Sequence, residues 1–166
     1  MFAMERILIA AAILPLALFG GTADAFIKDI EGFRRTRYTD QSGKMAIGYG
    51  FTDAAQVRKW SISERDAAAE LKRRCDAISA RLRKRVGEGK PLTPNEEAAV
   101  VSLIYNVGWR AFLGSRLWEL LKGGERGEAV ANEFYRWVYV RRDGRRFVSR
   151  GLAKRRELER GLFLRK

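Results

Sequence analysis

Histidine is absent from the 166 residues, and cysteine occurs once, as Cys75. Without histidine there is no Ser-His-Asp or Cys-His relay and no imidazole-bound zinc. One cysteine cannot close an internal disulfide, so export would bring no staple. Acid is also in short supply: 20 acidic residues stand against 33 basic ones, a net charge of +13. A basic surface of this size suits a polyanion, whether nucleic acid, an anionic cell wall or a membrane surface, or simply serves solubility. No nucleic-acid-binding motif accompanies the charge. Chemistry run by carboxyl groups alone survives all of these exclusions, and nothing in the chain calls for a metal or cofactor.

What remains is ordinary globular material. Hydrophobic residues make up 46% and charged residues 32%, and the length suits one domain with an adequate core. Residues 1–25 read as a targeting segment: Arg6 in a short basic start, an uncharged run from Ile7 to Gly21, and Ala23-Asp24-Ala25 as a small-x-small cleavage site before Phe26. The run is shorter than the roughly 20 residues of a comfortable bilayer span. A retained signal anchor is the competing reading. The expected location is therefore the periplasm or the outside of the cell, with transient inner-membrane contact through this segment.

Residues 26–166 form the expected domain. Phe26 to Phe33 should be a short helix, and Thr36 to Phe51 an antiparallel hairpin. Ser61 to Asp66 offers serine caps and first-turn acids for a long helix to about Val86, with Ala67, Leu71, Cys75, Ile78 and Leu82 as its buried stripe. Cys75 is then an inert core thiol. The opposite face, from Lys72 to Arg85, reads as solvated charge. Gly87 to Pro91 is a break between lobes. Thr93-Pro94-Asn95-Glu96 is a capped helix start, and the apolar run from Ala98 to Val107 is buried on most sides. Further helices are expected over 112–121, 128–138 and 152–164. The charged stretch Arg141 to Arg146 reads as a loop. A sheet first and helices after argue for an α+β fold: a small N-terminal β-hairpin lobe, a larger all-helical lobe, and a cleft between them.

The stretch from Ile30 to Gly50 carries the chemistry: I-E-G-F-R-R-T-R-Y-T-D-Q-S-G-K-M-A-I-G-Y-G. A helix end delivers Glu31 and a hairpin delivers Asp40. Two carboxyls from different elements facing one gap are what glycoside hydrolysis needs, one protonated and one ionised. Spacing alone also fits a helix-end Glu and an Asx-type turn residue.

The pattern E-G-x-x-x-x-x-Y-x-D-x-x-G-x-x-x-I-G-Y-G resembles the active-site segment of phage-type lysozymes, the endolysins of glycoside hydrolase family 24. The family spaces Glu, eight residues, Asp, five residues, Thr. Glu31 and Asp40 fall on the first two positions, and Ala46 stands where the family has Thr. Leu92 to Trp109 resembles the family's central helix and the turn after it. Arg136-Trp137 and Gly151 to Phe163 resemble its closing segments.

The resemblance implies a monomeric muramidase that cuts β-1,4 links between N-acetylmuramic acid and N-acetylglucosamine in peptidoglycan. Glu31 would be the general acid under apolar cover from Ile30, Phe33 and nearby tyrosines, including Tyr49. Asp40 would hold water or offset oxocarbenium charge. Asn106 would face the cleft, or else satisfy backbone at its helix end. Arg155 or Arg156 would partner Glu31, or else pair locally with Glu159. Ala46 removes a hydroxyl that helps place water, and Thr39, Ser42 and Thr52 are possible substitutes. A lysozyme fold that grips peptidoglycan without cutting it is the alternative.

Overall fold

The computed structural model describes residues 21–40, 43–142 and 144–166. The targeting stretch before Gly21 and the Gln41-Ser42 turn lie outside the described residues. Among the described residues, no helix is long and apolar enough to cross a membrane.

Helix α1 (Ala23–Glu31) begins three residues before the expected Phe26, so Ala23-Asp24-Ala25 is its first turn. It buries Ala23, Phe26 and Ile27 and exposes the other side. Strands β1 (Arg34–Thr39) and β2 (Met45–Gly48) pair antiparallel, with Tyr38 opposite Ala46 and Thr39 opposite Met45. Directly opposed residues share a face, so Ala46 lies on the face of Tyr38. The outer edge of β1 is tied to the chain before the long helix by a Thr36–Ser61 bridge and an Ile62 amide that donates to the Arg35 carbonyl at 2.9 Å.

After the one-turn helix α2 (Ala54–Val57), helix α3 runs over Glu64–Val86. Ser63 caps it, accepting the Asp66 amide at 3.1 Å. Ala67, Leu71, Cys75 and Leu82 are buried, and burial pushes the Cys75 thiol up to about 12. The charged face is laced with ion pairs: Lys72–Asp76 at 2.8 Å, Arg74–Glu70 at 2.7 Å and Arg83–Glu97 at 2.6 Å. Helix α4 (Pro94–Val107) has the expected capping box of Thr93 and Glu96, and Ala98 to Ile104 are all buried. It is the hub of the core and packs on α1, α3 and the last helix.

Three segments beyond α4 differ from expectation. The helix over 112–121 is two, α5 (Trp109–Leu113) and α6 (Arg116–Lys122). Ser115 makes the break: its hydroxyl donates to the Phe112 carbonyl at 2.6 Å and accepts the Trp118 amide at 3.1 Å. Residues 128–138 split into α7 (Glu128–Ala131) and a 3-10 helix, Asn132–Trp137. The stretch Arg141 to Arg146, read as a loop, belongs to a second hairpin. Strand β3 (Tyr139–Arg142) pairs antiparallel with β4 (Arg145–Val148) in continuous register. Its apolar residues sit at the base and its arginines at the tip, so the run of charge hid a short strand pattern. Helix α8 (Arg150–Phe163) closes the fold under a Ser149 cap. The α+β reading is borne out, with this hairpin added to the helical lobe.

The ion pairs on α3 carry a pH signature. Hydrogen bonds from Arg73, opposed by partial burial and reinforced by Arg74, lower Glu70 to about 2. A depressed carboxyl stabilises the fold above its unfolded pKa, and that contribution is lost as pH falls through the folded value. The melting temperature of Glu70→Gln should lie below wild type at pH 7, and the gap should close between about pH 4.5 and pH 2. A gap independent of pH would show that charge is not its source.

Candidate active site

Glu31 ends α1 and remains 22% exposed at its side chain. Its carboxylate is gripped from the far end of the chain by Arg155 on α8, through Nη1 and Oε1. Arg155 is almost fully buried and does more than this. Its Nε donates to Glu159 Oε1 at 3.0 Å, and its Nη2 donates to the Ser102 carbonyl and hydroxyl at 3.2 Å. The Ser102 hydroxyl in turn donates to Glu159 at 2.7 Å. Arg156 contacts the same acid, with Nε 2.8 Å from Oε2, and donates to Asn106 Oδ1 at 3.1 Å. Two guanidinium groups thus meet two carboxylates, Glu31 and Glu159, and the cluster is neutral as a whole. Burial works against the Arg155 charge, but Glu31 and Glu159 hold its pKa above the usual arginine value. Arg156 is lowered to about 10, by burial first and with the neighbouring Arg155 adding to it against the pull of Glu159.

Both alternatives for the two arginines are therefore realised. Arg155 partners Glu31 and Glu159 together. Arg156 is wholly buried and serves the local cluster, out of reach of any ligand. Asn106 is exposed at the end of α4 and anchors Arg156 from its open side.

Asp40 follows β1 at the hairpin turn. Its Oδ1 accepts the Lys44 amide at 2.9 Å, and its own amide donates to the Lys44 carbonyl at 2.8 Å. The turn residue and the candidate site residue are thus the same group. Tyr38 links it to Glu31: the phenol is raised by burial, then by the negative charge of Glu31, with Asp40 adding a smaller push. Ala46 is buried, with 1% exposure.

Tyr49 is buried rather than cleft-lining. Its hydroxyl donates to Glu64 at 3.3 Å and its carbonyl accepts the Tyr105 hydroxyl at 2.8 Å. The two glycines around it are dictated by space. A Cβ at Gly48 would stand 2.8 Å from the Phe51 ring. A Cβ at Gly50 would stand 3.1 Å from Glu31 Oε2, and φ there is +80°. Bare backbone therefore abuts the carboxyl.

Beside Gly50 opens a cavity of about 310 Å³, lined also by Thr52, Arg73, Arg74, Tyr105 and Trp109. Burial, and then the charge of Glu31, raise the Tyr105 phenol. Thr52, one of the candidate hydroxyls, lies on this wall, whereas the Thr39 hydroxyl is 3.7 Å from Met45 Sδ. Among the described residues, no group of three or more acidic, cysteine or histidine side chains could hold a metal. Tyr38, Tyr105 and Ser102 were not singled out from sequence. Ser102 had a usable signal, a lone hydroxyl inside an otherwise apolar helical run.

The family described as phage lysozyme matches residues 28–159. The chain belongs to the phage lysozyme family. It is 34% identical over 137 residues to the endolysin of Acyrthosiphon pisum secondary endosymbiont phage 1, covering 82% of this chain and 91% of that one. The endolysin of Escherichia coli O157:H7 phage FAHEc1 superposes with a TM-score of 0.75 at 28% identity, over 86% of this chain and 90% of the other. The muramidase domain of SpmX from Asticaccaulis excentricus does so with 0.74 at 28% identity, over 87% and 95%. The lysozyme is thus a glycoside hydrolase.

The buried cluster sets a testable cost. Glu159→Gln leaves two buried guanidinium groups with one carboxylate, and breaking such a cluster costs roughly 3–5 kcal/mol. Urea unfolding should show that loss, while exposed Glu157→Gln stays within about 0.5 kcal/mol of wild type.

Proposed function

We propose that the lysozyme hydrolyses the β-1,4 bond between N-acetylmuramic acid and N-acetylglucosamine in peptidoglycan, with Glu31 as general acid and Asp40 as its ionised partner. The observation that carries this reading is the Glu31 carboxyl, held by the buried Arg155 and set against the bare backbone of Gly50 at the edge of an open cavity. Glu31 gives its proton to the glycosidic oxygen as the bond from the anomeric carbon breaks. Water adds to that carbon and loses a proton toward Asp40. Arg155 positions the Glu31 carboxyl, and because Glu159 shares the guanidinium, Glu31 does not receive its whole charge. The Lys44 amide fixes the plane of Asp40.

The substrate is the glycan strand of the cell wall, and its degradation lyses the host. We place the enzyme in the periplasm or outside the cell, as a monomer, delivered by residues 1–25. Retention of those residues is supported by the fold: a cut before Phe26 would remove the first turn of α1 and its buried Ala23.

Glu31→Gln should abolish the release of new reducing ends from purified peptidoglycan, a loss of at least about a hundredfold for removal of a general acid. Clearing at the wild-type rate by this variant would remove Glu31 from the mechanism.

The second reading, binding without cleavage, has one observation in its favour: the buried Ala46 offers no hydroxyl. Its position opposite Tyr38 means that a hydroxyl placed there would point to the face of Tyr38. Ala46→Thr should raise the initial rate by about ten- to a hundredfold, the reach of one restored hydrogen bond in a preorganised site. Extra volume in a packed position should lower the unfolding free energy by about 1 kcal/mol. An unchanged rate at that stability would mean that other groups, such as Thr52, already hold the water. If neither protein cuts, co-sedimentation with peptidoglycan decides for the binding reading.

A further inference from the structure

The hairpin β3–β4 is exposed on both of its faces, which the function above does not explain. Tyr139 is 44% exposed, Val140 40%, Phe147 49% and Val148 59%. A two-stranded ribbon with no buried face is marginal in water by itself. Strand β4 also carries Arg145 and Arg146, both exposed. Among the described residues, no carboxylate pairs with Arg145 or Arg146.

The two faces are not equivalent. On one, the Arg146 guanidinium lies 3.7 Å from the Tyr139 ring centroid, so cation and aromatic are engaged with each other. On the other, the pair Val140 and Phe147 is followed at the tip by the paired positions Arg142 and Arg145. That face joins an apolar root to cationic ends within four residues of each strand. The arginines of α3 lack this combination, and Arg73, Arg74 and Arg83 among them are matched by acids.

We infer that the Val140–Phe147 face of the hairpin is a docking surface for an anionic phospholipid bilayer, lying flat in the headgroup region. Charge complementarity selects the anion, and the apolar pair selects the bilayer. Val140 and Phe147 can enter the boundary between headgroups and acyl chains, while long arginine side chains reach back to phosphate. A polysaccharide or nucleic-acid backbone would neutralise the arginines but would not provide an apolar layer for Val140 and Phe147. Anchored there, the enzyme would work on the wall next to the membrane.

The test uses the full chain and vesicles of phosphatidylcholine, with or without 30% phosphatidylglycerol. Phe147→Trp adds an indole to the four native tryptophans, and lipids brominated in the acyl chain quench it on contact. Extra quenching over wild type is expected with anionic vesicles and not with zwitterionic ones. Arg142→Gln with Arg145→Gln should weaken partitioning onto anionic vesicles about tenfold. Arg65→Gln with Arg85→Gln, equal in charge but on α3, should weaken it less than threefold. Phe147→Ser should weaken it as well, and both hairpin variants should hydrolyse purified peptidoglycan at the wild-type rate. Hydrolysis therefore reports on the active-site reading separately from vesicle binding. No extra quenching, or equal losses from the hairpin and α3 pairs, overturns the inference. So does a hairpin variant that loses binding to DNA but keeps vesicle binding, which would assign the arginines to a phosphate polymer.

Discussion

The candidate site depends on a single guanidinium with almost no access to water. Arg155 belongs to the last helix and Glu31 to the first, and their contact joins the two ends of the chain across α4. Burying a cation is unfavourable unless it is paired and its donors are satisfied. Here the requirement is met by Glu31, Glu159 and Ser102 together. The result is an acid whose position is fixed by the core, while its other side looks onto open space. Removing a charged member leaves an uncompensated charge, so the cluster also selects one packing of α8 against α4.

The sequence revealed those parts whose cause is local. The capping box at Thr93 and Glu96, the serine cap of α3 and the stripe of Leu71, Cys75 and Leu82 each follow from neighbours within a turn or two. Glu31 and Asp40 were visible through the spacing of a family pattern. What was not legible came from longer range. Nothing in the order of residues says that Arg155 serves Glu31 and Glu159 at once. Only the crossing of α1, α4 and α8 brings them together. Tyr49 belongs to the same class: its place in the motif suggested the cleft, yet its ring is enclosed and its polar atoms hold Glu64 and Tyr105.

The misread elements share another cause. Ser115 ends one helix and starts the next with a single hydroxyl, so a continuous apolar pattern covered a break. The second hairpin was masked by its charge. A stretch so rich in arginine resembles solvent-facing loop. Charge on α3 was read correctly as a solvated face because acids recur at helical spacing beside it.

The contact between Gly50 and Glu31 has a consequence for how the site tolerates change. One wall of the cleft is made of main chain, and main chain cannot be edited by substitution. Its amides and carbonyls are the same whatever codon stands there, provided glycine is kept at the two crowded points. The side chains around the cavity, Arg73, Arg74 and Trp109 among them, remain open to substitution. At Gly50, where the acid meets main chain, a positive φ and a Cβ only 3.1 Å from Glu31 Oε2 both favour glycine.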